Sequence, residues 1–154
     1  MKSLKAEQKL DSIDITIKDL NKSGLMDPLL KSFLAQYLVV FISGIYEDTI
    51  EIIIYEKIQR LNQKYLNKFY SNYLRRYFRN PDFSQICDLL KLFDDKWTVE
   101  LKKFDLKNKT ALKSIITNKN KVAHGEPCNI TLKDVIHYYK DSRPIIEKID
   151  ELVL

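Results

Sequence analysis

The chain has 154 residues and a mass of 18.2 kDa, which is enough for one domain with a substantial core and too little for two. Hydrophobic residues make up 45% and charged residues 31%, with only three glycines and four prolines. This composition excludes disorder and collagen-like repeats, and it disfavours all-β folds, which need turn residues at regular spacing. The net charge of +5 is uneven, because residues 57–80 carry seven basic side chains, residues 107–124 carry five, and neither segment has an acidic one. We therefore expect two basic segments on an otherwise acidic protein.

Apolar residues recur at helical spacing along the whole chain and predict an all-α protein. Asp27 followed by Pro28 is typical of a helix start, and Thr131 with Asp134 resembles a capping box. Gly125 is a natural residue to follow a helix end. In chain order, the first expected helix covers residues 3–21, and a long second helix runs from Pro28 past Arg60, with its apolar period continuing to Asn80-Pro81. Two short helices follow, opened by Asp82 and by Asp94-Asp95. The last two expected helices cover residues 108–123 and the segment from Thr131 onwards, which is bent at Pro144.

No segment is expected to cross a membrane. The longest stretch without a charge, residues 32–46, falls short of the roughly 20 apolar residues that span a bilayer. The first residues lack the apolar region of a signal peptide, and Cys87 and Cys128 are far apart in sequence. We predict a cytoplasmic protein with reduced thiols, no metal and no cofactor. It should form a single domain over residues 1–154, with an N-terminal helix at 1–22 and a main bundle at 28–154.

One run of residues has the composition of a reactive site: the heptapeptide KNKVAHG that begins at Lys119, at the end of a predicted helix. Lys119 shares the apolar stripe of that helix with Leu112 and Ile115, whereas His124 lies about 140° away on the polar face. Asn120 and His124 are four residues apart, so their side chains can meet at one surface. A lysine on an apolar stripe either packs its stem and extends its ammonium group to water, or faces a second copy of the protein or an anionic ligand.

This heptapeptide resembles the signature of the HEPN superfamily, in which an arginine and a polar residue, usually asparagine, precede Ala-His-Gly at a helix end. The family spacing is Arg-x4–6-His, and Lys119 occupies the arginine place with four residues before His124. From about residue 30 to the end, further blocks resemble the branch called RiboL-PSP-HEPN. They are Tyr46-Glu47, the run YLRRYFRNPDF over residues 73–83, Ile86 to Leu90 with Trp97, and Thr131-Leu132 followed by Tyr138-Tyr139.

The resemblance implies a HEPN-like helical bundle with a long second helix, dimerising through the motif helices. It also implies a metal-independent RNA endonuclease of toxin or antiphage-defence type. His124 takes the catalytic histidine place, Asn120 the supporting place, and Lys119 the arginine place, while Glu47 takes an acidic place near the cleft. Such an enzyme cleaves RNA by attack of the 2′-OH, with histidine as acid or base near neutral pH. Its partners are expected to be RNA, a second copy of the chain, and an antitoxin or another defence-system protein.

The basic segment over residues 57–80 favours contact with phosphate, because a solvated helix face needs no such imbalance of charge. The tyrosines and phenylalanines of residues 65–78 are expected mostly in the core, with one or two free to stack on bases. The predicted RNA-binding residues are Arg75, Arg76, Arg79, Lys68 and Lys121.

Two alternatives stay open. The residues alone favour a simpler role for His124, as a cation at the negative end of the helix dipole, whereas the resemblance favours catalysis. Lys119 keeps the positive charge of arginine but lacks its two-pronged guanidinium. The alternative function is therefore a catalytically weak HEPN module that binds RNA or a partner protein. His137, between Ile136 and Tyr138, is interpreted as structural.

Overall fold

A computed structural model of the chain describes residues 1–24, 27–61, 64–79 and 81–154, except the side chains of Lys64, Asn67, Ser71 and Arg75. Within these ranges every regular element is an α-helix and there is no strand, which confirms the predicted fold class. The helices are α1 (Leu4–Lys22), α2 (Pro28–Gln59), α3 (Lys64–Tyr77), α4 (Phe83–Lys91), α5 (Asp95–Lys102), α6 (Leu106–Ala123) and α7 (Leu132–Val153).

Local capping chemistry explains where several helices begin. The first backbone N–H groups of a helix have no partner within it, so a side chain that accepts from them favours a start at that point. The Asp27 carboxylate accepts from the first turn of α2. Asp82 and Gln85 form a capping box at the start of α4. Thr131 and Asp134 form one at the start of α7, which confirms the predicted box.

The long second helix ends earlier than expected. The sequence pattern predicts that it continues past Arg60, but α2 ends at Gln59 and α3 begins after a short connection. The apolar period is the same on both sides, so the pattern does not reveal the break. Folding back allows Arg79, which follows α3, to form an ion pair of 2.9 Å with Glu47 in the middle of α2. The predicted stop at Asn80 lies outside the described residues.

The helix α2 is at the centre of the bundle and packs against α1, α6 and α7. The Tyr46 hydroxyl lies 2.9 Å from Ser142 Oγ of α7, and Arg60 donates to the carbonyl of the last residue, so α2 and α7 run in the same direction. The Asn108 amide of α6 donates to the Asp141 carbonyl of α7, and a short loop joins the two helices, so α6 runs the opposite way. The C-terminal end of α6 and the N-terminal end of α2 therefore lie at the same end of the bundle.

The N-terminal helix α1 packs on the same core. Leu10 and Ile13 are fully buried. The buried carboxylate of Asp150 in α7 accepts hydrogen bonds from the backbone N–H groups of Lys2 and Ser3. Because unpaired buried carboxylates are costly, this contact fixes the beginning of the chain to the end of α7.

Among the described residues, α2 is the one helix that is long and apolar enough, by length and composition, to cross a membrane. Its buried residues extend from Ala35 to Ile58 and face the neighbouring helices. Burial also raises the pKa of the Tyr46 hydroxyl well above its usual range, so this group stays neutral and hydrogen-bonded within the core. These are the properties of the core helix of a small helical protein.

Candidate functional site

The candidate site begins at the C-terminal end of α6, where the chain stops at His124. The backbone N–H of Gly125 donates to the Val122 carbonyl (3.2 Å) and that of Glu126 to the Lys121 carbonyl (2.9 Å). These two bonds form a Schellman motif, which requires a left-handed residue after the helix. Gly125 supplies it, with a φ of +68°. The residues Ala123 to Glu126 therefore end α6 and place His124 at its C-terminal end.

The loop after Gly125 folds back onto α6. Cys128 and Ile130 are buried, and Cys128 Sγ lies 3.5 Å from the side-chain oxygen of Asn118. The loop is thus held on α6 one turn and a half before the helix end. His124 lies between this buried loop and the helix, so its backbone is fixed while its side chain is exposed.

The side chains of the motif separate onto two faces of α6. His124 and Asn120 are both exposed and lie one turn apart on the same face. Lys119 is half-buried and leaves the helix about 140° from His124. Lys121 is half-buried as well. The predicted supporting residue therefore lies beside the predicted catalytic one, whereas Lys119, in the predicted arginine place, borders the core.

The apolar stripe of α6 is covered within the protomer. Leu112 is 1% exposed and Ile115 is fully buried. These two residues need no second copy to cover them, because the chain's own core does so. An exposed apolar surface lies instead on the N-terminal half of α2, at the same end of the bundle as His124. We call it the α2 apolar face; its residues are Leu29, Leu30, Phe33, Tyr37 and Val40.

Glu47, the predicted acidic residue, is at a different level of the bundle from His124. The Glu47 carboxylate accepts a hydrogen bond of 2.9 Å from Arg79; its side chain is 12% exposed and that of Arg79 is 60% exposed. Tyr46 and Asn108 both meet the middle of α7. His124 lies about 24 Å further along α6 than Asn108, at 1.5 Å per residue. Within one protomer, Glu47 therefore anchors the chain after α3.

The predicted RNA-binding cations fall into two groups. Lys68 and Arg76 are exposed on α3, and Arg79 follows that helix. Lys121 is on α6, beside the motif. The side chain of Arg75 lies outside the described residues. The structure thus separates a basic surface on α3 from the histidine site at the end of α6.

Two exposed features were not expected from the sequence. His137 is on the surface, 3.1 Å from the Asp141 carboxylate, which also pairs with Lys107 at 2.9 Å. The spacing of four residues between His137 and Asp141 is the sequence signal that identifies this pair. The aromatic residues expected mostly in the core are also largely exposed along α3. They are Tyr65, Phe69, Tyr73 and Tyr77.

The described residues contain no group of three or more His, Cys, Asp or Glu side chains that could hold a metal ion. Cys87 and Cys128 are free and buried. Burial raises the pKa of the Cys87 thiol, so this group is neutral at physiological pH.

The comparisons with known proteins identify the family of the chain. The sequence model of the RiboL-PSP-HEPN family matches residues 2–154, so the match extends further towards the N-terminus than the blocks seen in the sequence. The chain belongs to the RiboL-PSP-HEPN family. No curated protein and no solved structure matched it. Membership of this family indicates a ribonuclease or an RNA-binding module.

Proposed function

We propose that the protein is a metal-independent RNA endonuclease that cleaves RNA at a cleft centred on His124. The observation that carries this proposal is the exposed pair of His124 and Asn120 at the end of α6, where the sequence resembles the signature of the family. A histidine that served only packing would be buried, and one that served only as a terminal cation would need no polar neighbour one turn away. Both the exposure of His124 and its polar neighbour Asn120 support chemistry at this position.

The residue types suit cleavage by the neighbouring 2′-OH of RNA. A base removes the 2′-OH proton, the 2′-oxygen bonds to phosphorus, and an acid protonates the leaving 5′-oxygen. Imidazole serves as either base or acid near neutral pH. The Lys119 ammonium stabilises the charge on the phosphorane, and the Asn120 amide can donate to a phosphate oxygen. The products are a 2′,3′-cyclic phosphate and a free 5′-OH.

A symmetric dimer would complete this site. One protomer presents a single motif histidine, and Lys119 leaves α6 on a different side from His124. Two copies joined at this end of the bundle would supply two histidines, one as base and one as acid, with two lysines between them. The α2 apolar face supports this proposal, because large exposed apolar patches mark interaction surfaces and this one adjoins the motif end.

The biological setting follows from the family resemblance. Metal-independent ribonucleases of this class serve as toxins or antiphage effectors, and we extend that role to this chain as part of the proposal. A cytoplasmic location gives access to cellular RNA, and an antitoxin or another defence-system protein is the expected partner. Because an unregulated ribonuclease damages its own cell, such a partner would cover the His124 end of the bundle.

The central experiment incubates purified protein with total RNA in EDTA. Wild type should cleave and His124→Ala should not, with unchanged helical content. The matched control is His137→Ala, which removes another exposed histidine from a surface contact with Asp141 and should cleave as wild type does. A single 2′-deoxy substitution at the cut site should block cleavage, because it removes the nucleophile. Cleavage by His124→Ala at the wild-type rate would contradict the proposed mechanism.

A second series tests the phosphate clamp. Lys119→Ala should lose activity, and Lys119→Arg should keep or raise it by adding a two-pronged contact to the scissile phosphate. Lys113→Ala, at an exposed lysine on the same helix, is the control for loss of one positive charge. Equal rates for the Lys119→Ala and Lys113→Ala variants would show that Lys119 contributes only general charge.

The second candidate function is a catalytically weak module that binds RNA or a partner protein. The lysine at position 119, where the family has arginine, favours it, because ammonium lacks the bidentate geometry of guanidinium. This candidate predicts that wild type and Lys119→Arg both bind RNA and that neither cleaves any RNA tested. That result would replace the nuclease proposal with the binding module.

A further inference from the structure

The helix α3 exposes a row of aromatic side chains. Tyr65 is 88% exposed, Phe69 63%, Tyr73 38% and Tyr77 62%. Each is four residues from the next, so they follow one another along a single face. Neighbouring rings are close, with centroids 6.2 Å apart for Phe69 and Tyr73 and 5.1 Å for Tyr73 and Tyr77. We call these four residues the aromatic ladder.

The ladder is not the packing face of α3. The residues that follow each ring in sequence turn towards the protein: Leu66 and Tyr70 pack against the core, and Leu74 and Phe78 are buried. This inner stripe already attaches α3 to the bundle. Leaving large aromatic side chains in water costs free energy, so a continuous row of four points to a binding surface.

The residues on the other side of the ladder are polar or positively charged. Lys68, Asn72 and Arg76 each precede a ladder residue, so they lie about 100° round the helix, and all three are exposed. The Arg76 guanidinium lies 5.6 Å from the centroid of the Tyr77 ring. No acidic residue occurs between positions 57 and 80. A second copy of this surface would meet like charges, whereas a polyanion with flat rings would match both stripes.

A pocket continues the ladder at its C-terminal end. Its volume is about 320 Å³, and its lining includes Tyr73, Tyr77, Arg79, Gln85 and Asp88. The walls therefore combine aromatic and aliphatic side chains with a guanidinium, an amide and a carboxylate. Those polar groups supply both donors and acceptors, as recognition of a base edge requires.

We propose that the aromatic ladder binds single-stranded RNA, with bases stacked on the rings, phosphates held by Lys68 and Arg76, and one base inserted into the pocket. Successive rings are about 6 Å apart along the helix, longer than the 3.4 Å step of stacked bases in a duplex strand. The ladder therefore suits a strand whose bases are separated, since paired bases cannot reach the rings. Arg79, just after the ladder, meets the middle of α2 at Glu47, so α3 runs back towards the N-terminal end of α2. The Tyr77 end of the ladder is therefore directed towards the end of the bundle that carries His124.

This inference rests on the proposed function only in taking RNA as the ligand. The test measures binding in the His124→Ala background with EDTA, so that the RNA is not cut. The probe is a fluorescein-labelled single-stranded RNA of about 12 nucleotides, within the site sizes of single-strand binders. Fluorescence anisotropy gives the Kd at several salt concentrations, and a blunt duplex of the same sequence is measured in parallel.

Replacing Phe69, Tyr73 or Tyr77 with leucine should weaken binding by about fivefold or more each, because a base–aromatic stack is lost. The slope of log Kd against log salt should not change, since no phosphate contact is removed. The matched controls Tyr73→Phe and Tyr77→Phe keep the ring and should bind as the parent does. The duplex should bind more weakly than the single strand.

Leucine variants that bind like the parent, or a duplex bound as tightly as the single strand, would overturn the proposal. So would a change of oligomeric state in the leucine variants by light scattering, since it would make a second copy the occupant of the ladder. Binding without cleavage in the wild-type protein would remove the nuclease proposal and keep the ladder. If all three leucine variants still cleave RNA and bind it with an unchanged Kd, the ladder proposal is removed and the nuclease proposal is kept.

Discussion

Replacing Gly125 with alanine tests whether the turn after α6 positions His124. Gly125 has a φ of +68°, and a Cβ added there would meet no atom within 4 Å. The cost of Gly125→Ala is therefore backbone strain alone, about 1–2 kcal/mol for an L-residue in the left-handed region. The strain can be relieved only by moving the loop or the last turn of α6. We expect the free energy of unfolding to fall by about that amount, and cleavage to fall with it because the imidazole shifts.

The other two glycines provide matched controls. Gly24 also has a positive φ, +61°, and open space around it, but it follows α1. Gly24→Ala should lose the same stability and cleave normally. Gly44 lies within α2 with nothing near its Cβ position, so Gly44→Ala should gain about 0.5–1 kcal/mol. Urea unfolding followed by far-UV circular dichroism measures all three variants. Full cleavage by Gly125→Ala, despite the expected loss of stability, would refute the positioning argument.

Three further predictions concern association, RNA binding and pH. Phe33→Asp on the α2 apolar face should give a monomer in light scattering at tens of micromolar and lose cleavage, whereas Ile15→Asp, at an exposed apolar residue of α1, should change neither. Arg76→Glu should weaken RNA binding and flatten its salt dependence, because a phosphate contact releases counterions; an unchanged slope would leave this residue as a solvated cation. Hydrogen bonds from Thr131 hold the pKa of Asp134 below its usual range. The ionised Asp134 carboxylate therefore stabilises the folded state above about pH 4, and this stabilisation is lost as the pH falls through the lower pKa of the folded state. The difference in unfolding free energy between wild type and Asp134→Ala should shrink over that acidic range, and a constant difference would contradict the assignment.

The parts of the fold that depend on neighbouring residues could be predicted from the sequence. The caps at Asp27, Asp82 and Thr131 are local, since each side chain bonds a backbone group three residues ahead. The break after Gln59 could not be predicted in the same way. It depends on α3 folding back along α2, and the Glu47 partner in that contact is 32 residues from Arg79.

The exposure of the aromatic residues also depends on tertiary contacts. Periodicity places Tyr65 and Phe69 on one stripe of α3 and Leu66 and Tyr70 on the next, about 100° apart. Both stripes are apolar enough to form a core, and hydrophobicity alone does not distinguish them. The orientation is decided by the contacts of α3 with α2, which bury Leu74 and leave the rings in solvent.

In the candidate site as well, some features are set by neighbouring residues in the sequence and others by tertiary contacts. His124, Asn120 and the Gly125 turn lie within six residues, so a short sequence motif already contains their geometry. An RNA strand is longer than that motif, and holding it requires a surface. The uneven charge of residues 57–80 is the sequence signal for such a surface, because seven cations without an acid in one segment favour contact with an anion. The structure places exposed members of that segment beside exposed rings. If the aromatic ladder binds RNA as proposed, this arrangement would add a preference for unpaired bases to a general attraction for phosphate.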